Sequence, residues 1–233
     1  MVCSMKEKTR GAAKKGGRGE SMDMENAFRQ TGFLPLAEGL FYFPCGDAPL
    51  SAEVFLIPGR ECAWFFDCGN GEHALNAIRA VPGRKRAVIS HFHPDHMGNV
   101  HQADFERVYL GDFAYRKAGD NLCAVAVTAC TAAEDAIDMH ILPLPSCHAK
   151  GSLMLTYGKY VFLGDGIYAG NKNGQRAYNA TVLWETIRAL EGVSAQYAVL
   201  SHRAPEIVPC RDVLAELKAI YAKREKNAAY ILL

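Results

Sequence analysis

Three histidines and one aspartate fall within six consecutive positions of the chain, in the segment SHFHPDHMGN (residues 90–99). The four side chains are His91, His93, Asp95 and His96, and they follow directly after an apolar run. Imidazole and carboxylate groups suit zinc, with iron and manganese as neighbouring choices. Because His91 and His93 are two positions apart, an extended chain projects both rings to the same side. The spacing therefore predicts a metal site, and one loop can serve two metals about 3.5–4 Å apart.

Three further residues of metal-binding types follow distant apolar segments. His148 follows ILPLPSC, Asp165 follows YVFLG, and His202 follows YAVLS. Taken singly, each has an ordinary explanation, such as a surface position for His202 or a turn at Asp165. Strand ends at one edge of a sandwich converge, however, so distant side chains can complete one site. Jointly, the three residues supply the ligands that a two-metal site still lacks.

The segments that must position these side chains alternate between strand and helix patterns. Branched and aromatic residues predict strands at 40–43, 53–57, 63–66, 86–90, 108–110, 139–144, 153–157, 160–164 and 197–201. The first three, with Pro or Gly between them, are typical of an antiparallel meander. Helical spacing of apolar residues predicts helices in GEHALNAIRAV, YNATVLWETIRALEGV and CRDVLAELKAIYAKREKN. Each half of the chain has strands first and a helix and strand later, which favours two sheets packed face to face with helices outside.

The amino-acid composition limits the classes to which the protein can belong. Hydrophobic residues make up 49% of the 233 residues, which favours a sizeable core over global disorder. Lys and Arg total 26 against 25 Asp and Glu, a balance that does not indicate a nucleic-acid binder. Residues 1–22 contain six basic and two acidic residues, and we expect them to form a disordered basic tail. Residues 23–233 are expected to form a single domain, since no Pro- or Ser-rich linker divides them.

The cysteines and the apolar runs predict a location. No apolar stretch follows the basic start, so no secretory signal is predicted. No run approaches the ~18 apolar residues that span a bilayer, so no membrane partner is expected. The eight cysteines form no CxxC pair, which favours reduced thiols in a cytoplasmic protein.

Together these elements resemble the metallo-β-lactamase superfamily. The family motif HxHxDH is present as HFHPDH, the later histidine in CHAKGSL, the bridging aspartate in FLGDGIY and the last histidine in VLSHR. An upstream Asp-x-Gly element is present as FFDCGN. The order and rough spacing match from about residue 40 to residue 205. The resemblance implies an α+β fold, a four-layer αββα sandwich of the metallo-β-lactamase type, with the metal centre at its edge.

The resemblance also implies a role for each candidate residue. The first metal would be bound by His91, His93 and His148, and the second by Asp95, His96 and His202, with Asp165 bridging both. Asp67 of FFDCGN would support the site by orienting a ligand. Two departures from the family pattern stand out: Asn99 replaces a frequent second glycine, and Ser201 and Arg203 flank His202 in place of glycines.

These residues predict a metal-dependent hydrolase with two zinc ions, although iron or manganese also suits the ligands. A hydroxide bridging the metals would attack a small-molecule ester, thioester, lactone or phosphodiester, and Asp95 would be both a ligand and the group that orients the hydroxide. Histidine at position 93, in place of a glutamate, favours zinc over the branch that resembles flavodiiron proteins. No GxSxG motif supports a serine nucleophile.

Two alternatives stay open on the same fold. One is an iron-dependent redox enzyme, similar to persulfide dioxygenases or flavodiiron proteins, and the other is a catalytically quiet metal-binding or sensor protein. The segment YAGNKNGQRAYN, interpreted as a Gly-rich loop, places Tyr168, Asn171 and Lys172 after Asp165 as candidate substrate contacts. The oligomeric state is not predicted.

Overall fold

The computed structural model describes residues 26–135, 137–203 and 206–233. The predicted basic tail, residues 1–22, lies outside the described residues, so the tail and the domain boundary at residue 23 stay predictions. Residues 26–30 are helical. Five further helices are α1 (Glu72–Ala80), α2 (Pro94–Met97), α3 (Asp112–Ala118), α4 (Ala180–Glu191) and α5 (Cys210–Ala222).

Two large mixed sheets form the centre of the fold. The first contains, in spatial order, β1 (Leu34–Ala37), β2 (Leu40–Phe43), β5 (Val54–Pro58), β6 (Ala63–Phe66), β7 (Lys85–Ile89), β8 (Arg107–Gly111) and β9 (Ala124–Val127). The second contains β10 (Thr131–Ala132), β11 (Met139–Leu144), β12 (Ser152–Tyr157), β13 (Tyr160–Gly164), β16 (Tyr197–Leu200) and β17 (Ile207–Pro209). The smaller units are the hairpin β3 (Gly46–Asp47) and β4 (Leu50–Ser51), and a sheet of β14 (Gly170–Lys172), β15 (Gln175–Asn179) and β18 (Tyr230–Leu232).

Alternation along the strands explains how the layers pack. On β6, Trp64 and Phe66 point into a core shared by both sheets, whereas Phe65 points to the outer face covered by α1. On β13, Phe162 enters the shared core, and its ring centroid lies 5.6 Å from that of Phe66. Val161 on the same strand faces the opposite way, into a core built with α4 and α5. Helices therefore cover the outer face of each sheet, as predicted.

The predicted strands and helices are confirmed, including the antiparallel meander of β2, β5 and β6. The interpretation of YAGNKNGQRAYN as a loop is wrong, because β14 and β15 form a hairpin there. Asn173 and Gly174 turn the chain with φ values of 52° and 84°. Positive φ at both central residues is the geometry of a type I′ turn, for which Asn-Gly is the favoured pair.

Candidate metal centre

The first group of donors consists of His91, His93 and His148, and it brings together two segments that are distant in the sequence. His93 Nδ1 lies 2.9 Å from His91 Nε2 and 3.1 Å from His148 Nε2. In a tetrahedral zinc site with Zn–N distances of 2.0–2.1 Å, two ligand nitrogens are about 3.4 Å apart. The observed separations are close to that value, so the three imidazoles fit one zinc ion after small adjustments.

The second group consists of Asp95, His96, Asp165 and His202, whose ligand atoms all lie within 4.8 Å of one another. Asp95 Oδ2 is 3.1 Å from His202 Nε2 and 3.5 Å from His96 Nε2. Asp165 Oδ2 is 3.5 Å from His96 Nε2 and 3.4 Å from His148 Nε2 of the first group. The carboxylate of Asp165 therefore stands between the two groups, where a shared ligand belongs.

Two buried atoms in this cluster lack hydrogen-bond partners. Among the described residues, His96 Nε2 and Asp165 Oδ1 are fully buried polar atoms with no hydrogen bond. The carboxylate oxygens 3.5 Å from His96 Nε2 lie beyond the 2.7–3.2 Å of an ordinary N–H···O bond. Buried polar atoms without a partner are uncommon and cost about 1–3 kcal/mol each. Both atoms belong to side chains of metal-binding types, and a bound cation would give such atoms a partner.

The hydrogen bonds around Ser90 determine which ring nitrogens face the site. Asp67 Oδ1 accepts from the Ser90 N–H at 2.6 Å, and Asp67 Oδ2 accepts from Ser90 Oγ at 2.8 Å and from His96 Nδ1 at 2.7 Å. A hydroxyl has one proton, so Ser90 Oγ, having donated it to Asp67, accepts from His91 Nδ1 at 3.0 Å. The protons on Nδ1 leave Nε2 of both histidines as the nitrogen that can bind a metal.

Burial and neighbouring charges set the protonation of the cluster. Burial, together with the neighbouring imidazoles, lowers the pKa of His91 far below its usual range, so this ring is neutral. Burial also opposes a charge on His96, but the carboxylates of Asp67 and Asp165 outweigh it and raise the pKa of His96. Burial raises the pKa of Asp67, against the effect of His96. Without a metal, the ring of His96 therefore carries a proton on both nitrogens, and a metal ion that binds Nε2 would displace the proton there.

Three of the candidate ligands are held where a strand of one of the two sheets has just ended. His91 comes two residues after β7, Asp165 directly after β13, and His202 two residues after β16. Asp67 and His202 have φ values of 63° and 56°, in the left-handed region that Asp and His tolerate better than most side chains. Gly164 has φ 52°, and a Cβ there would lie 2.7 Å from Ser90 Oγ. A glycine is thus needed at position 164 for the end of β13 to pack against Ser90, which directly follows β7 of the first sheet.

Asn99, the departure from the family's second glycine, has a clear structural role. Its side chain is buried, and its amide donates to the carbonyl oxygens of Cys68 at 3.1 Å and Gly71 at 3.0 Å. The Cys68 N–H donates in return to the carbonyl oxygen of His96 at 2.9 Å. These bonds connect the loop that carries Asp67 to the segment that carries His96.

Ala52 and Glu53 make two hydrogen bonds that support the second donor group, and no motif in the sequence marks either residue. The Ala52 N–H donates to the carbonyl oxygen of Asp95 at 2.9 Å. Glu53 is 3% exposed, and its Oε2 accepts from the His202 N–H at 3.0 Å. One short segment before β5 therefore holds the backbone of two second-group residues.

The three candidate substrate contacts differ in their surroundings. Asn171 and Lys172 line an open cavity of about 610 Å³ that begins at His148. Tyr168 does not line this cavity; its hydroxyl donates to the carbonyl oxygen of Ser201 at 2.6 Å. The structure thus places Tyr168 as a support for the backbone next to His202, and a contact of any of the three with substrate stays a prediction.

Solved structures with the same fold include metallo-β-lactamase superfamily proteins. A metallo-β-lactamase from Erythrobacter litoralis is 18% identical, with a TM-score of 0.60 over 82% of this chain and 96% of that one. The metallo-β-lactamase FIM-1 from Pseudomonas aeruginosa, in its mono-zinc form, is 16% identical, with a TM-score of 0.59 over 82% of this chain and 94% of that one. A peroxy diiron species of the chemotaxis sensor ODP is 14% identical, with a TM-score of 0.60 over 79% of this chain and 93% of that one.

The chain therefore has the metallo-β-lactamase fold, and the resemblance seen in its sequence is confirmed at the level of the fold. No family model matches the sequence, and no curated protein matches it. Within the described part of the chain, none of the helices has the length and apolarity to cross a bilayer. The cytoplasmic location stays a prediction.

Proposed function

We propose that this protein is a dinuclear zinc hydrolase acting on a small-molecule ester, thioester, lactone or phosphodiester. The observation that carries the proposal is the pair of adjoining donor groups with the Asp165 carboxylate between them. The first zinc ion is assigned to His91, His93 and His148, and the second to Asp95, His96 and His202, with Asp165 as the shared ligand. This donor set of imidazoles and carboxylates suits zinc chemically.

Different side chains of the protein have different roles in the proposed hydrolysis. When bound, a divalent metal lowers the pKa of a water and polarises the carbonyl or phosphoryl group under attack. Asp95 acts as a ligand and also orients the attacking water by accepting a hydrogen bond from it. Asp67 and Ser90 hold the rings of His96 and His91 with Nε2 towards the metals. The site lies at the rim of the sandwich, next to the cavity through which a substrate can approach.

Metal content and turnover test the proposal together. The purified chain should contain close to two zinc ions, and it should hydrolyse at least one member of a panel of esters, thioesters, lactones and phosphodiesters. One iron per chain with uptake of O₂ would refute the zinc hydrolase and favour the redox alternative, for which the diiron sensor offers a structural parallel. Stoichiometric zinc without turnover on the panel would favour a binding or sensor protein.

Ligand variants test the assignment of individual residues. His93→Ala and Asp165→Ala should each lose metal and activity while the circular dichroism of the helices persists. His73→Ala, on the exposed face of α1, is the matched control and should keep both metal and activity. A His93→Ala or Asp165→Ala protein with full metal content would show that this residue is not a ligand.

A further inference from the structure

The open cavity beside His148 has two distinct kinds of wall. Phe92, Phe113 and Tyr230 give it aromatic surface, and Lys150 and Lys172 give it positive charge. Its volume of about 610 Å³ falls within the 300–1,000 Å³ typical of small-molecule sites. Such a cavity suits a ligand that has an apolar part and a charged part.

The ionised side chains that line the cavity are all positive. Asp and Glu are absent from its lining, as far as the described residues show. A third ammonium group stands behind the aromatic wall, because Lys117 Nζ lies 5.3 Å from the ring centroids of both Phe92 and Phe113. The whole chain has nearly equal numbers of basic and acidic residues, so this local excess does not follow from composition.

These three lysines make no ion pair with the part of the protein that the structure describes. Among the described residues, Lys117, Lys150 and Lys172 have no carboxylate within 4.0 Å, whereas Lys218 pairs with Glu191 at 2.7 Å. Lys172 Nζ instead lies 4.7 Å from the ring centroid of Tyr230, which keeps it against the cavity wall. Their charges are available to a ligand.

The aromatic wall is continuous with the proposed metal ligands. Phe92 lies between His91 and His93 in the chain, and its ring centroid is 4.8 Å from that of His93 and 4.8 Å from that of Phe113. A substrate whose scissile group sits beside His93 and His148 would therefore place its next apolar atoms on this wall. Its far end would then reach the lysines.

We propose that the substrate is an anion: an acyl compound that carries a non-reacting carboxylate or phosphate, separated from the scissile bond by a short apolar segment. The proposal rests on the proposed hydrolase and names the class of substrate for that site. The lysines bind the anionic end by charge, and the aromatic wall packs against the apolar segment.

Binding of a matched pair of probes tests the proposal independently of turnover. The probes are the mono-4-nitroanilide of glutaric acid and its methyl ester, which differ in one negative charge. Their affinities for the zinc-loaded full-length chain are measured by calorimetry at low and high salt. The acid should bind about tenfold more tightly than the methyl ester at low salt, since two exposed ion pairs contribute about that much, and the preference should shrink at high salt.

Lysine variants show whether the preference comes from this cavity. Lys150→Gln/Lys172→Gln should remove the preference for the acid and leave the affinity for the methyl ester unchanged. Lys159→Gln is the matched control, because Lys159 is also exposed and its Nζ also lies near an aromatic ring, 5.5 Å from the ring centroid of Tyr160. Lys159 directly precedes β13, at the opposite end of that strand from Asp165. That variant should keep the native preference.

Three results would overturn the proposal. They are equal affinities for the two probes, no binding of either probe at millimolar concentration, and a preference for the acid that survives in the double lysine variant. The last result would mean that the carboxylate binds the metals and not the lysines. Failure of the hydrolase proposal is recognised separately, by zinc content without turnover on the substrate panel.

Discussion

Glu53 offers a sharp test of how the second donor group is held together. Its carboxylate is buried and accepts a hydrogen bond from the backbone N–H of His202, a residue 149 positions away in the chain. That N–H belongs to a backbone with φ 56°, a conformation that a non-glycine residue adopts at some cost. Glu53→Ala would remove the acceptor, and Glu53→Gln would keep an acceptor of the same shape without its charge.

The size of the effect follows from the contact. A hydrogen bond to a charged group contributes about 1.5–3 kcal/mol, and 1.36 kcal/mol corresponds to a factor of ten in affinity. If His202 must adopt this conformation to bind the proposed second zinc ion, Glu53→Ala should weaken that site by about 10- to 150-fold. Glu53→Gln should weaken it less, because a neutral hydrogen bond of about 0.5–1.5 kcal/mol remains. The first site should be unaffected in both variants.

Competition titration of zinc against a chromophoric chelator resolves the two affinities, with thermal unfolding recorded alongside. Glu185→Ala, an exposed glutamate on α4, is the control and should leave both affinities unchanged. A folded Glu53→Ala protein that binds two zinc ions as tightly as the native chain would refute the reasoning. A lower melting temperature with unchanged zinc affinity would show that Glu53 supports only the fold.

Asp67→Asn should weaken zinc binding about 10- to 100-fold in the same titration, because it removes a buried carboxylate that orients His96, a proposed ligand. An unchanged affinity would contradict that role. Burial raises the pKa of Cys62 to about 12. In the folded protein, iodoacetamide should therefore modify Cys62 far more slowly than exposed Cys123 at about pH 8, and the Cys62 rate should still rise about tenfold per pH unit near pH 10. A Cys62 rate that is level between about pH 8 and 10, measured by mass spectrometry of peptides, would be inconsistent with this pKa. Gly111→Ala would place a Cβ 1.8 Å from the Gly151 carbonyl oxygen, so it should destabilise the protein by about 1–3 kcal/mol in urea unfolding, and native-like stability would disprove this close approach.

The candidate site was largely predictable because its residues obey a local rule. Each one follows an apolar segment whose composition indicates a strand, and polar groups after such segments meet at one edge of a sheet. His148, Asp165 and His202 could be found by that rule although they lie far from the HFHPDH segment. The structure brings all three into contact with it or with each other.

The supporting residues could not be found in the same way. Glu53 begins the apolar segment EVFLI and, from the sequence, has the pattern of an ordinary strand residue. Its partner His202 is far away in the sequence, so no local pattern reveals their contact. The role of Tyr168 depends likewise on the backbone of Ser201, which no local pattern reveals. The hairpin around Asn173 did carry a signal in its Asn-Gly pair, but its strands are short and polar and lack the apolar alternation that marks most strands.

Each donor group contains residues that follow strands of both sheets. This explains why the HxHxDH motif alone does not define the site. His91 and His93 follow β7 of the first sheet, whereas His148 follows β11 of the second. In the other group, Asp165 follows β13 of the second sheet and lies against His96 from the first. The separation of the donors is therefore set by the apolar core between the sheets, where interiors are close-packed and resist displacement. A chain with the same motif but a different spacing between its sheets would present the same histidines without the partners that the proposed second metal site needs.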